Sequence, residues 1–154
     1  MALYTTTFNL VAVTAVQDLF DLLTAADSIT VIHAVELSQS TEVGDAQEEM
    51  LNLIFERGAT TASNGTAVVP NALESGSSAY GGTTRVNGAT RSTAGTIQTL
   101  RVDNWNVRMP YLWLPTPEMR PILGPNVRFV VDLNSTPADA ITMSGTLTFE
   151  ELGG

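Results

Sequence analysis

Apolar and polar residues alternate along much of this chain with a period of two, which is typical of half-buried β-strands. Residues 28–38 (SITVIHAVELS) show this pattern clearly. The residues that would share their apolar face are Ile29, Val31, His33, Val35 and Leu37. Residues 48–57 (EEMLNLIFER) also alternate, although Glu, Met and Leu favour helix as well. We interpret 48–57 as a strand because Arg57-Gly58 ends the pattern quickly.

Further segments are rich in Thr, Val, Ile and aromatic residues and are bounded by turn residues, which indicates strands. The longer ones are 3–13, 96–103, 105–114, 127–133 and 141–150, and shorter extended pieces are 66–70 and 83–86. The chain therefore predicts a mainly β protein, an antiparallel sandwich or barrel of about six to eight strands.

One segment has helical spacing. Thr14 begins the capping-box sequence T-A-V-Q, and apolar residues follow at intervals of three and four. These residues are Val16, Leu19, Phe20 and Leu23. We expect a short amphipathic helix over 15–25 that packs against a sheet.

Residues 58–95 are dominated by Ala, Thr, Ser, Gly and Asn and include the turn dipeptides Asn64-Gly65 and Asn87-Gly88. A connection of this length is uncommon in a compact domain. The sequence therefore predicts a single domain over 1–154, with 58–95 as a long extended loop or arm that neighbouring subunits hold in place.

Composition narrows the possible functions. The 154 residues include no cysteine, and all seven basic residues are arginine. The formal charge of −9 argues against a nucleic-acid or anionic membrane surface, because both need clustered basic residues. No apolar run approaches ~18 residues, and the N-terminal residues do not resemble a signal peptide. We expect no cofactor.

The acidic stretch 36–51 (ELSQSTEVGDAQEEML) is the first candidate for chemistry. Its carboxylates are Glu36, Glu42, Asp45, Glu48 and Glu49. It lacks the spacing of a calcium loop, and no base accompanies it. His33 is the only histidine and lies in a predicted strand without a second catalytic partner. We interpret the stretch as a solvated connection between two strands, and His33 as a packed or interface residue.

The aromatic residues Trp105, Tyr111 and Trp113 lie close to Arg108 and to several amides. Alternation places the three rings on one face of a strand. Such a face suits core packing or a protein interface, where Trp, Tyr and Arg are enriched. Stacking on sugar rings is the alternative.

Three stretches, HAVELSQSTEVGDAQEEMLNLIFERG, LPTPEMRPILGPN and SGTLTFEELGG, resemble a group of structural proteins associated with the capsid of tailed bacteriophages. The resemblance implies a non-enzymatic virion component, such as a decoration (cement) protein that stabilises the phage head. Its partners would be the major capsid protein and copies of itself, with a trimer favoured. It would be made in the host cytoplasm and reside in the head.

The residues that we expect at subunit interfaces are Trp105, Arg108, Tyr111, Trp113, Glu42, Asp45, Glu48 and Glu49. Two other functions compete with this one. A carbohydrate-binding or tail-fibre adhesin domain would use the three aromatic rings. A hydrolase would use the acidic stretch and ranks last, because a lone histidine and no lysine leave few acid–base partners.

Overall fold

A computed structural model describes residues 2–41 and 49–153, which fold as two antiparallel β-sheets packed face to face. This described part contains a short 3₁₀ turn at Pro117–Met119 and twelve strands. The strands are β1 (Ala2–Val13), β2 (Gln17–Leu23), β3 (Ile29–Gln39), β4 (Met50–Thr61), β5 (Thr66–Val68), β6 (Asn71–Ala72), β7 (Thr83–Gly88), β8 (Thr93–Asn106), β9 (Tyr111–Trp113), β10 (Ile122–Leu123), β11 (Arg128–Leu133) and β12 (Ile141–Leu152).

Sheet A has the strand order β10-β3-β12-β1-β6, and β9 also pairs with β3. Sheet B has the order β5-β7-β2-β11-β4-β8. The predicted mainly β, antiparallel fold is confirmed, and of the two predicted architectures, sandwich or barrel, the chain forms the sandwich. Several additional short strands exceed the expected six to eight. None of the helical turns among the described residues is long and apolar enough to span a membrane.

The core lies between the sheets and follows the predicted alternation most closely in β4 and β12. The residues of these two strands that are at most 1% exposed include Leu51, Leu53, Phe55, Ile141, Met143, Leu147 and Phe149. The polar residues between them face outward, so each strand divides its side chains between core and solvent.

The predicted helix over 15–25 is wrong, because β2 occupies this segment in the middle of sheet B, between β7 and β11. A bulge opposite Val131/Asp132 shifts the alternation within β2, so Leu19 and Phe20 are both buried and imitate helical spacing. Pairing with strands on both sides supplies ladder hydrogen bonds, and tertiary packing therefore overrides the capping signal.

Segment 58–95 also differs from the expected arm, because it contributes β5, β6, β7 and the ends of β4 and β8 to this chain's own sheets. Two buried carboxylates of β2 hold its loops. The Ser63 N–H donates to Asp21 Oδ2 at 2.9 Å, and the N–H and hydroxyl of Ser92 both donate to Asp18 Oδ2 at 2.7 Å. Contacts within the chain therefore order loops that we expected neighbouring subunits to hold.

A second anchor holds the middle of the same segment against sheet A. Tyr80 of this segment is buried, and its hydroxyl lies 3.0 Å from Thr30 Oγ1 of β3. Glu151 Oε1 accepts hydrogen bonds from Ser28 Oγ at 2.8 Å and from the Gly81 N–H at 3.2 Å. Burial raises the pKa of Tyr80 to about 12, so its hydroxyl stays protonated and able to donate.

Candidate functional site

The predicted strand 105–114 is interrupted, and the chain crosses there from one sheet to the other. Trp105 lies near the end of β8 in sheet B, whereas Tyr111 and Trp113 lie in β9 of sheet A. A turn closed by the Met109 N–H to the Asn106 carbonyl oxygen, at 3.0 Å, joins them, and Pro110 follows it. The crossing brings β8 and β9 together at one edge of the sandwich.

The two tryptophans at this edge are core residues. Trp105 is 4% exposed and Trp113 is 8% exposed. The Trp113 ring meets Phe55 edge-on at 4.9 Å between ring centroids, and Trp105 meets Tyr111 at 6.2 Å. Two of the three rings therefore offer little surface for stacking on a sugar, which weakens the carbohydrate alternative.

A polar bridge joins the sheets outside these rings. Arg101 donates to both carboxylate oxygens of Asp103 at 2.5 and 2.9 Å, and the Tyr111 hydroxyl donates to Asp103 Oδ2 at 2.5 Å. The Arg101 guanidinium also lies 6.0 Å from the centroid of the Trp113 ring, within cation–π range. Burial and the hydrogen bond to Asp103 raise the pKa of Tyr111.

Beside this bridge lies a cleft of about 600 Å³, which we call the edge cleft. One wall consists of Phe55, Arg57, Leu100 and Arg101 from β4 and β8, and segment 112–121 forms the other. Leu112, Leu114 and Met119 on that second wall are 60–70% exposed. Arg57 donates from Nε to Gln98 Oε1 at 2.9 Å, and Arg120 lines the opposite wall. An exposed apolar surface rimmed by arginines is typical of a protein-binding site.

The predicted interface residues fall into separate environments. Arg108 is exposed in the turn between β8 and β9, where its N–H donates to Asn106 Oδ1 at 3.1 Å. Glu49 adjoins the same turn, because its carbonyl oxygen accepts from the Val107 N–H at 3.0 Å. Its carboxylate accepts from the Ala138 N–H at 2.5 Å. Glu42, Asp45 and Glu48 lie outside the described residues.

His33 lies on the outer face of sheet A, with its Nε2 2.9 Å from Glu150 Oε2. A bulge opposite Thr148/Phe149 displaces it from the core-facing register that the alternation predicts. Within residues 2–41 and 49–153, no three His, Asp or Glu side chains converge as a metal-binding group.

Sheet B carries a second polar cluster on its outer face, formed by Asp18, Asp21, Asp132, Arg91 and Arg128. The three aspartates are at most 2% exposed. Arg128 pairs with Asp21, and Arg91 Nη2 lies 2.8 Å from Asp132 Oδ2. The second contact is an ion pair without hydrogen-bond alignment, since neither Asp132 oxygen has a hydrogen-bond partner in the described part. Burial raises the pKa of Asp132 to about 7 despite the nearby Arg91, and burial also raises the pKa of Asp18.

The sequence analysis did not identify most of the edge cleft. The sequence could have placed Arg101 and Asp103 beside Trp105, because alternation puts all three on one strand face. No sequence pattern could have placed Arg57, Leu100 and Met119 there, since only the packing of the two sheets brings them together.

Comparisons with known proteins leave the family open. No protein-family model matches the chain, and no curated protein matches it. Similar solved structures include one of the infectious bursal disease virus Gx strain, with 15% identity over 99% of this chain and 41% of that chain, at a TM-score of 0.23. Another is the VP2 subviral particle of infectious bursal disease virus, with 13% identity over 98% of this chain and 39% of that chain, at a TM-score of 0.18. The chain thus spans about two fifths of the length of these structures, and such TM-scores carry no argument about function.

Proposed function

We propose that this chain is a non-enzymatic structural protein of a virus particle that binds neighbouring protein subunits, as a decoration (cement) protein does on the head of a tailed phage. The observation that carries the proposal is the edge cleft, an exposed apolar surface with three arginines on a protein with a formal charge of −9. Large exposed aliphatic side chains gathered beside arginines are characteristic of surfaces that a protein partner covers.

The rest of the molecule suits this role. Both anchors of segment 58–95 and the polar bridge at the β8–β9 edge tie distant parts of the chain together through side-chain hydrogen bonds. A scaffold held in this way presents the cleft in one shape, so that binding need not order it. The partners in the proposal are the major capsid protein and copies of this chain, with a trimer as the expected self-assembly.

The proposal implies that a tailed phage encodes the chain, and the test uses particles of that phage. Quantitative mass spectrometry of purified heads should find it in fixed proportion to the major capsid protein. Met119→Glu places a charge in the cleft and should leave the soluble protein folded but deplete it from heads. Leu73→Glu is the matched control, because Leu73 is 61% exposed and follows β6 at the opposite edge of sheet A.

Absence of the chain from purified heads would refute the proposed function. Equal incorporation of Met119→Glu and Leu73→Glu into heads would show that the edge cleft is not the surface through which the chain binds the head. Light scattering of the purified protein measures the expected trimer directly.

A further inference from the structure

We propose that the edge cleft and the free edge of β8 together bind one extended segment of a partner protein, which adds to sheet B as a further strand. The segment would carry an apolar side chain at every second position and a carboxylate at its end. The partner's identity as a virion subunit rests on the proposed function, whereas the mode of binding rests on the following contacts.

The backbone of β8 is available for such pairing. β8 is 14 residues long and pairs with β4 on one side, and no strand of the described residues pairs with its other side. Residues 93–102 are all exposed. A free strand edge presents a row of N–H and C=O groups, and strand addition uses that row for affinity.

The cleft lies where an added strand would direct its side chains. Phe55 and its partner Arg101 face sheet A, so a strand beside β8 would point alternate side chains the same way. They would meet Leu100, Leu112, Leu114 and Met119, which are 38–70% exposed in this chain. The volume of about 600 Å³ lies within the range of roughly 300–1,000 Å³ typical of binding clefts.

Charge selects which segment fits. The cleft is lined by Arg57, Arg101 and Arg120 and by one acidic residue, Glu118, while Asp103 beside it pairs with Arg101. The net charge there is still positive, on a protein that is negative as a whole. A carboxylate on the incoming segment would pair with Arg57 or Arg120, whose side chains line the cleft. The charged Arg101–Asp103 pair points inward and would discourage pairing with strands that carry no charged group to face it.

The experiment measures binding of three fluorescent peptides to the intact protein by anisotropy. The first is Glu-Thr-Leu-Thr-Leu-Thr-Glu, whose Leu and Glu side chains share one strand face, the second has Lys in place of both Glu, and the third has the composition of the first with its leucines in one block. We expect the first to bind and the second to bind at least about tenfold more weakly, because it lacks a charge-assisted hydrogen bond that contributes that factor. The third should also bind more weakly, because adjacent leucines cannot share one face of a strand.

Backbone methylation distinguishes strand addition from simple apolar contact. Two versions of the first peptide carry N-methyl groups on alternate residues, one set out of phase with the other. In strand addition one set removes the hydrogen bonds to β8 and abolishes binding, whereas the other set faces away and leaves binding intact. Met119→Glu should abolish binding, Arg120→Gln should reduce the preference for Glu over Lys by about tenfold, and Leu73→Glu should change neither.

Equal binding of both methylated peptides, or no preference for the acidic alternating peptide, would overturn the proposal. So would a dimer in light scattering that Met119→Glu dissociates, because a second copy would then occupy the cleft. Peptide binding by a chain that is absent from phage heads would refute only the proposed function. A chain present in heads that binds no peptide would refute only this inference.

Discussion

Replacing Asp132 by Asn should remove a pH dependence of stability that the buried carboxylate imposes. Asp132 is 1% exposed, and burial raises its pKa from the ordinary 3.8 to about 7. Between these two values the folded protein keeps a proton that the unfolded chain releases. The free energy of unfolding therefore falls as the pH rises from about 4 to 7 and levels off above that range.

The size of the effect follows from the two pKa values. They differ by about three powers of ten in proton affinity, which at about 1.4 kcal/mol each is roughly 4 kcal/mol. The amide that replaces the carboxylate in Asp132→Asn cannot ionise, so this variant should be the more stable protein at pH 8, by roughly 2–4 kcal/mol. The lower figure allows for the half-exposed Arg91, which loses its ion-pair partner.

Urea unfolding monitored by fluorescence of the buried Trp105 and Trp113, at several pH values between about 4.5 and 8.5, measures this difference. Asp139→Asn removes one carboxylate at an exposed position and is the matched control. We expect the curve of Asp139→Asn to parallel that of the unmodified protein, whereas the Asp132→Asn curve flattens. Parallel curves for all three proteins would refute the reasoning.

Three further substitutions test the packing. Gly58→Ala should lower the free energy of unfolding by at least about 2 kcal/mol in urea unfolding, because the Gly58 φ is +98° and a Cβ would lie 2.2 Å from the Thr96 carbonyl oxygen. An unchanged free energy of unfolding would contradict that geometry. Glu151→Ala should lower the free energy of unfolding by about 1–3 kcal/mol and speed limited proteolysis near Gly81, because the Gly81 N–H loses its hydrogen-bond acceptor. Unchanged cleavage near Gly81 would show that this anchor is dispensable. Trp113→Ala should cost roughly 3–5 kcal/mol in thermal or urea unfolding, as expected of a core ring, whereas a loss below about 1 kcal/mol would mark a surface residue.

The alternating strands were predictable because a strand that is buried on one face alternates apolar and polar residues along its sequence. β12 and the first half of β4 follow this rule residue by residue. β2 does not, because the core covers one of its faces and the loops of 58–95 cover the other. Asp18 and Asp21 look like the polar face of a helix, yet they accept backbone hydrogen bonds from a segment more than forty residues away.

The candidate site was predictable only in part. The aromatic residues and Arg108 were found from their types and spacing, but their exposures were not, because the chain changes sheets between Trp105 and Tyr111. Because both tryptophans are buried, the exposed apolar surface at this edge consists of Leu112, Leu114 and Met119. Alternation alone does not predict that these three residues are exposed together.

Local sequence was enough to establish the mainly β, antiparallel class and the acidic, lysine-free character of the molecule, because strand periodicity and charge are properties of local composition. The choice of sandwich over barrel came from the pairing of the strands. Tertiary contacts were needed to show that 15–25 is a central strand and that 58–95 belongs to the sheets of its own chain. They also open an arginine-rimmed cleft beside β8. Each of these features depends on partners distant in sequence, and long-range hydrogen bonding and packing outweigh the small local preferences that a sequence displays.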